Sequence, residues 1–387
     1  MTVSVWQANG QQPTRTVDML IVGAGIVGTA AAVFARRHGR TPVITEMRDV
    51  ALGASGRNAG FMITGLDSYY HHAIARYGHA TTREIYALSQ RTHAFWHSII
   101  AAHGVRFEGI GSMLLAESEA EADDLRAAYD AMRADGLSPV FHATDPLQRG
   151  YLAAIEQPQD GAVHPVQLAH ALLRESGAEL IDNNELYGLE ADPAGGVIVR
   201  TRKYTFHAQH VLLCTNAYSM YVHPFFVGKV IPNRAQVLAT APLPAPVLRT
   251  CGYSDYGYMY YRMDFDGRLL IGGGRKQNKP AEHDTSDDRT TPAVQAVLDD
   301  YLRARFPDVS APVERRWAGI MGFTPDGLPL VGTLPDLPAV GFAVGFNGHG
   351  LAMGAATVEL AVNHLLTGAP VGAIDGHRDL SRWAFAH

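Results

Sequence analysis

Short apolar runs separated by amphipathic stretches set the pattern of this chain. Residues 19–22 (MLIV) form an unbroken apolar run, the length of one buried parallel strand, and 29–37 (TAAAVFARR) read as the helix after it. Residues 41–45 (TPVIT) supply a second strand. Over 68–103, Tyr70, Ile74 and Tyr77, then Ile85, Leu88, Thr92, Phe95, Trp96 and Ile99, recur at spacings of three and four, which predicts helix. Further helices are expected over 119–134, 166–176, 292–306 and 351–366. Strands are expected at 112–116, 209–215, 233–240 and 339–346, strand and turn at 179–189, a β-hairpin from 196–202 and 204–208, and a turn at 160–165.

The period changes in 253–274, YSDYGYMYYRMDFDGRLLIGGG. Asp266-Gly267 is a hairpin turn signal between 258–263 and 268–271. Strict alternation puts Tyr258 and Tyr260 on one face and Tyr261 on the other. Short connections cannot bring these strands into a parallel sheet, so they imply a separate antiparallel sheet. The fold class is therefore α/β (α+β overall), with a Rossmann-like parallel-sheet domain and a second, antiparallel-sheet domain.

Composition narrows the function. A chain of 387 residues suggests two domains, and 47% hydrophobic with 18% charged residues describes an ordinary globular protein. A net charge of −6 gives no reason to expect nucleic acid or an anionic membrane as partner. No run of about 18 apolar residues predicts a membrane span. The first sixteen residues lack the pattern of a signal peptide and read as a strand-like or loose extension, which makes the cytoplasm the default location. Two cysteines, Cys214 and Cys251, make neither a disulfide framework nor a zinc site.

The chemistry-bearing stretch is 17–28, VDMLIVGAGIVG, in which Gly23, Gly25 and Gly28 bracket Ala24, Ile26 and Val27. Gly23 allows a tight turn, Gly25 lets the backbone approach a pyrophosphate, and Gly28 lets helix and strand pack closely. Phosphates would sit at the helix N-terminus, where free N–H groups and the dipole favour anions. Glu46 ends the second strand 18 residues beyond Gly28, close to the ~20 expected of an acid that bonds a ribose hydroxyl. The Gly-, Ala- and Ser-rich loop at 49–63 suits a backbone lying against a flat ligand, and NGHG at 347–350 opens a second helix in the same way. His93 and His97 stand at i and i+4, but no acidic partner or third ligand accompanies them. The pair His71-His72 reads as surface, and no metal site is expected.

In these motifs the chain from about 17 to 368 resembles the FAD-dependent D-amino-acid oxidase, glycine oxidase and sarcosine oxidase family. The marks are the glycine fingerprint with Glu46, GASGRNAG at 53–60, CTNAYS at 214–219, DGRLLIGG at 266–273, TPDGLPLVG at 324–332 and GFNGHGLAMG at 345–354. SGRN together with IMGFTPDG is most similar to the branch containing gamma-glutamylputrescine oxidase. The resemblance implies an FAD-binding domain from 1–66, 151–219 and 312–387, and a substrate domain from 67–150 and 220–311. Gly23, Gly25, Ile26, Val27 and Gly28 would hold the pyrophosphate and Glu46 the adenosine ribose. Ser55, Arg57, Asn58 and Ala59 would line the flavin. Gly348, His349, Gly350 and Leu351 would meet the pyrimidine end of its ring.

The same resemblance implies hydride transfer from the carbon beside an amine nitrogen to flavin N5, giving an imine that hydrolyses. Molecular oxygen or another acceptor would take the electrons, and the substrate would be a small amine or amino acid. The alternative is a flavin-binding subunit or degenerate member without its own turnover. Three positions depart from the family. Met321 stands where glycine oxidase-like members place a carboxylate-binding arginine, and Leu270 aligns with the sarcosine oxidase lysine that promotes reaction with oxygen. No cysteine stands where sarcosine oxidases attach the flavin, so FAD is expected to be non-covalent. Met321, Tyr260, Arg262 and His349 are the candidate pocket residues. Arg262 and Arg275, flanking the hairpin, are the candidate replacement cations, and His349 is either a base or a packing residue.

Overall fold

The apolar run at 19–22 folds as the inner half of a strand, Thr14–Val22, that pairs in parallel on both edges. Its neighbours are Pro42–Thr45 and Thr205–Leu213; Glu179–Ile181 extends the sheet on one side and Val340–Val344 on the other, all parallel. Burial on both faces explains why these segments read as unbroken apolar runs. This computed structural model describes residues 12–381, so the extension expected at the N-terminus lies mostly outside the described residues. The helices Ile26–Arg37, His79–His103, Pro165–Ser176 and Gly350–Thr367 cover one face, burying Met19, Ile21, Trp96, Leu172 and Val358 together. On the opposite face Leu20, Val22, Val199, Phe206 and Phe226 form a second core.

Some elements differ from the sequence reading. The expected hairpin strand and the strand after it are one continuous strand, Thr205–Leu213. It changes partner midway, pairing antiparallel with Val197–Thr201 and then parallel with Val340–Val344. The long helix is broken at Gly78, φ 84°, into Tyr70–Tyr77 and His79–His103. The turn at 160–165 contains a short strand, Gly161–Val163, flanked by Phe61–Met62 and Phe107–Glu108.

The second sheet runs Val313–Phe323, Ile231–Pro242, Arg268–Gly273, Met259–Met263, Cys251–Ser254, Ser112–Leu115, Ala154–Gln157 and Val140–His142. It is antiparallel except between Cys251–Ser254 and Ser112–Leu115. Ala154–Gln157 and Val313–Phe323, which the sequence grouping placed with the nucleotide-binding segments, pair within this sheet. The Asp266-Gly267 turn joins two of its inner strands, Met259–Met263 and Arg268–Gly273. Tyr261 is buried in a core with Tyr151, Leu298 and Phe306, whereas Tyr260 faces the other way, as alternation requires. No helix among the described residues is long and apolar enough to cross a membrane.

Asp160 fastens the short three-stranded sheet to the second sheet. Only 1% exposed, its carboxylate accepts from the Thr64 amide (3.1 Å) and hydroxyl (2.8 Å), the Ser112 hydroxyl (2.6 Å) and the Gln157 amide (3.2 Å). Burial outweighs these bonds and pushes its pKa up to about 6. A carboxyl raised on folding contributes stability that is full below its unfolded pKa and lost as pH rises through the folded one. Wild type should therefore lose roughly 2–3 kcal/mol relative to Asp160→Asn between pH 4 and 7. Urea unfolding of both proteins across that range checks this; a gap that stays constant with pH contradicts it.

Candidate functional site

A cavity of about 400 Å³ opens where the parallel strands end and the second sheet begins, and Val22, Thr45, Cys214 and Phe346 at those strand ends line it. One end is formed by the glycine turn, Glu46, Arg48 and residues 184–186. The other is formed by Tyr253, Tyr258, Tyr260, Arg275, Met321, Phe323 and residues 348–352.

The glycine turn is set by close approach. A Cβ on Gly28 would lie 1.8 Å from the Gly23 carbonyl oxygen, and one on Gly23, φ +108°, would lie 2.8 Å from the Cys214 oxygen. Gly28 thus packs helix on strand, and it does not itself line the cavity. Two turn amides are already held: Ala24 N–H donates to Glu46 Oε2 (2.8 Å) and Ile26 N–H to Ser55 Oγ (3.0 Å). Gly25, Ile26 and Val27 line the cavity beside them. Glu46 also accepts from the Arg48 N–H at 2.9 Å, so it shapes the turn as well as facing the cavity.

The 53–60 loop is held by its own side chains. Asn58 donates to the Ala54 (3.0 Å) and Ser55 (2.8 Å) carbonyls and accepts from Gly60 N–H (2.7 Å), around the single helical turn Ala54–Arg57. Arg57 donates to the Leu52 (3.0 Å) and Ala318 (2.7 Å) carbonyls and pairs with Asp288 at 3.0 Å. Ser55, Arg57, Asn58 and Ala59 all line the cavity.

Arg262 is a correction. It lies outside the cavity wall, 2% exposed, with its guanidinium 4.9 Å from the Phe265 ring. It donates to the Ala59 and Met263 carbonyls, and burial lowers its pKa. Although it shares the face of Tyr260, the loop at 59–60 covers it, and it braces that loop instead of meeting a substrate.

A knot of side-chain amides fixes the far end. Asn347, φ 50°, accepts from Thr324 N–H (2.8 Å) and donates to the Gly345 carbonyl (2.7 Å). Asn216, φ 42°, accepts from the Gly345 (3.1 Å) and Phe346 (3.3 Å) amides. Three separate motifs so converge on the start of Gly350–Thr367. Residues 350–352 line the cavity, and the first N–H groups of a helix have no partner within it and carry partial positive charge. His349, 9% exposed, bonds the Asn347 carbonyl through Nδ1 at 3.1 Å, which makes Nδ1 the donor and leaves Nε2 as the acceptor. Met321 faces the same place: a Cβ on Gly348 would lie 3.3 Å from its Sδ.

Phe61, Tyr253 and Tyr260 pack together beside this end, with ring centroids 5.0 to 6.1 Å apart. Burial pushes the Tyr260 phenol up to about 12 despite the opposing charge of Arg275, so it is protonated at neutral pH. Arg275 lies 5.2 Å from the Tyr258 ring and 5.0 Å from that of Phe323, with no carboxylate within 4 Å among the described residues. The sequence reading passed over Asn216 and Asn347 as site-forming residues, though both sit inside the motifs it marked. It passed over Tyr253, which opens the aromatic stretch it marked, and Arg48, which carries no local signal.

A flat dinucleotide fits these walls. Glycines stand where side chains would collide, two helix starts open on the space, and aromatic rings close one end. Comparison with known proteins agrees. Residues 18–363 match the family described as DAO, FAD dependent oxidoreductase. The chain is 25% identical over 362 residues to the probable oxidoreductase OrdL of Haemophilus influenzae, covering 87% of this chain and 80% of that one. It is 24% identical over 357 residues to gamma-glutamylputrescine oxidoreductase of Escherichia coli, with 87% and 80% covered. The crystal structure of L-proline dehydrogenase from P. horikoshii superposes with a TM-score of 0.78 at 22% identity, covering 95% of this chain and 98% of that one.

The fingerprint contact is testable. In Gly28→Ala the new Cβ cannot fit against the Gly23 carbonyl, so the helix start must move. Purified protein should carry at least about ten-fold less flavin per chain, by absorbance, while far-ultraviolet circular dichroism stays close to wild type. Full flavin content in this variant contradicts the packing argument.

Proposed function

This chain belongs to the DAO family of FAD-dependent oxidoreductases, and on that premise we propose that it oxidises the C–N bond of an amine whose carboxylate lies away from the reacting carbon. Gly23, Gly25, Ile26 and Val27 hold the pyrophosphate and Glu46 the adenosine ribose. Ser55, Arg57, Asn58 and Ala59 lie along the flavin, and 348–351 meet its pyrimidine end, with no covalent link. FAD bound there supplies a two-electron acceptor for the hydride that leaves the carbon beside nitrogen, with an imine and then its hydrolysis products following.

The protein's own contribution is positioning. The helix start at 350 favours negative charge on the adjoining ring edge. Met321 and Phe323 keep water from the reacting carbon, and Tyr260, held as a phenol, is a donor rather than a base. His349 serves the helix start, its ring oriented by the Asn347 carbonyl.

The observation that carries the reading is Arg275. It is a cavity-lining cation stacked on two rings and lacking a carboxylate partner among the described residues. A partly desolvated guanidinium binds carboxylates strongly and with defined geometry. With methionine at 321, no cation stands where an α-carboxylate would be bound.

Anaerobic mixing with an amine panel, read by flavin bleaching, tests this. Amines with a remote carboxylate should reduce the flavin fastest. Arg275→Gln should weaken their binding by about 100-fold, as expected for a charge-assisted contact of ~2–3 kcal/mol, and leave uncarboxylated amines unaffected. A strong preference for glycine, sarcosine or a D-amino acid, or equal losses for both classes in the variant, would overturn it. Absence of bleaching by every amine favours a member without its own turnover.

A further inference from the structure

Outside the cavity, three side chains with metal-binding chemistry converge at one point. His71 and His72 lie in the first turn of Tyr70–Tyr77, and Asp124 comes from the separate helix Glu119–Ala134. Nε2 of His71 lies 3.3 Å from Asp124 Oδ1, and Nε2 of His72 lies 3.4 Å from the same oxygen. These separations are long for an N–H···O bond, whose usual length is ~2.9 Å. They match the spacing between ligands around a tetrahedral zinc ion: bonds of ~2.0–2.1 Å place neighbouring ligand atoms ~3.3–3.4 Å apart. All three ligand atoms lie within 4.8 Å of one another.

The surroundings hold this arrangement. Consecutive helical side chains diverge by ~100° about the axis, yet the two imidazole centroids are only 3.9 Å apart. Tyr69 stacks on His72 with 14° between the ring planes. The Tyr256 hydroxyl donates to Asp124 Oδ2 at 2.9 Å, which fixes the carboxylate and leaves Oδ1 turned toward the histidines. An outer hydrogen bond of this kind orients ligating carboxylates in metal sites.

We propose that His71, His72 and Asp124 form a binding site for one divalent transition metal ion of the zinc class, with water as the remaining ligand. Two imidazoles and a carboxylate are the donor set such ions prefer. His72 is half exposed, so the ion enters from solvent. The ion joins two helices and, through Tyr256, the 255–257 turn, whose Gly257 lines the cavity. Its role is to stiffen that wall, and it takes no part in the redox chemistry.

The test uses the flavin-loaded protein, stripped of metal with chelator and dialysed against zinc ion, with bound metal counted by mass spectrometry. Wild type should bind one equivalent and melt at a higher temperature with zinc than without. His72→Ala and Asp124→Asn should lose that equivalent and the melting shift while keeping their flavin absorbance, which reports an intact fold. Tyr256→Phe should bind about ten-fold more weakly. Less than half an equivalent in wild type at micromolar free zinc, or unchanged affinity in both ligand variants, overturns the proposal.

Discussion

The contact between Gly28 and the Gly23 carbonyl is the constraint on which the site depends. With 1.8 Å between that oxygen and the nearest position a Cβ could take, no side chain fits, and strand and helix are locked at one angle. That angle aims the N-terminus of Ile26–Arg37 at the space beyond the strand ends. Ser55 and Glu46 then take two amides of the turn, tying the 53–60 loop and the second strand to the same point. The opposite wall is fixed by hydrogen bonds of half-buried Asn216 and buried Asn347, not by shape alone. Buried polar networks of this kind are stabilising only when each member is satisfied, so they specify one arrangement of the chain segments they join.

Local features were legible in the sequence. The apolar strand runs, the three glycines, the hairpin turn at Asp266-Gly267 and the opposite facing of Tyr260 and Tyr261 each follow from neighbouring residues. What escaped depends on partners remote in the chain. Nothing within 196–215 says that one strand exchanges an antiparallel neighbour for a parallel one. Nothing within 251–254 announces a parallel pairing with 112–115. Arg262 and Arg275 looked alike as cations flanking one hairpin. The loop at 59–60, which covers Arg262, is what separates them. His71-His72 reads as surface until Asp124 is brought alongside.

Charge in the cavity is mostly cancelled by the protein itself. Arg57 and Arg48 both approach Asp288, at 3.0 and 3.7 Å. Arg262 is satisfied by carbonyl oxygens. Two helix starts also open on the cavity, and Arg275 makes no ion pair among the described residues. On the reading proposed above, the first helix start is matched to phosphates and the second to an electron-rich ring edge of the cofactor. On the same reading Arg275 has no such counterpart in the cofactor, and a substrate carboxylate would supply its counter-charge.

Where that cation stands bears on substrate shape. Met321 belongs to Val313–Phe323, and Arg275 follows directly on Arg268–Gly273; Ile231–Pro242 lies between them in the sheet. Two strand spacings of ~4.8 Å displace the two backbones by about 10 Å. An arginine at 321 would reach toward Gly348, beside the start of Gly350–Thr367. An arginine at 275 instead reaches from the tyrosine-rich hairpin, with its guanidinium held over Tyr258 and Phe323. On the reading proposed above, moving the anchor from residue 321 to residue 275 changes the side from which a carboxylate is held relative to the ring edge. That reading disfavours an α-amino acid, whose carboxylate is bonded directly to the reacting carbon, against a longer amine with its acid at the far end.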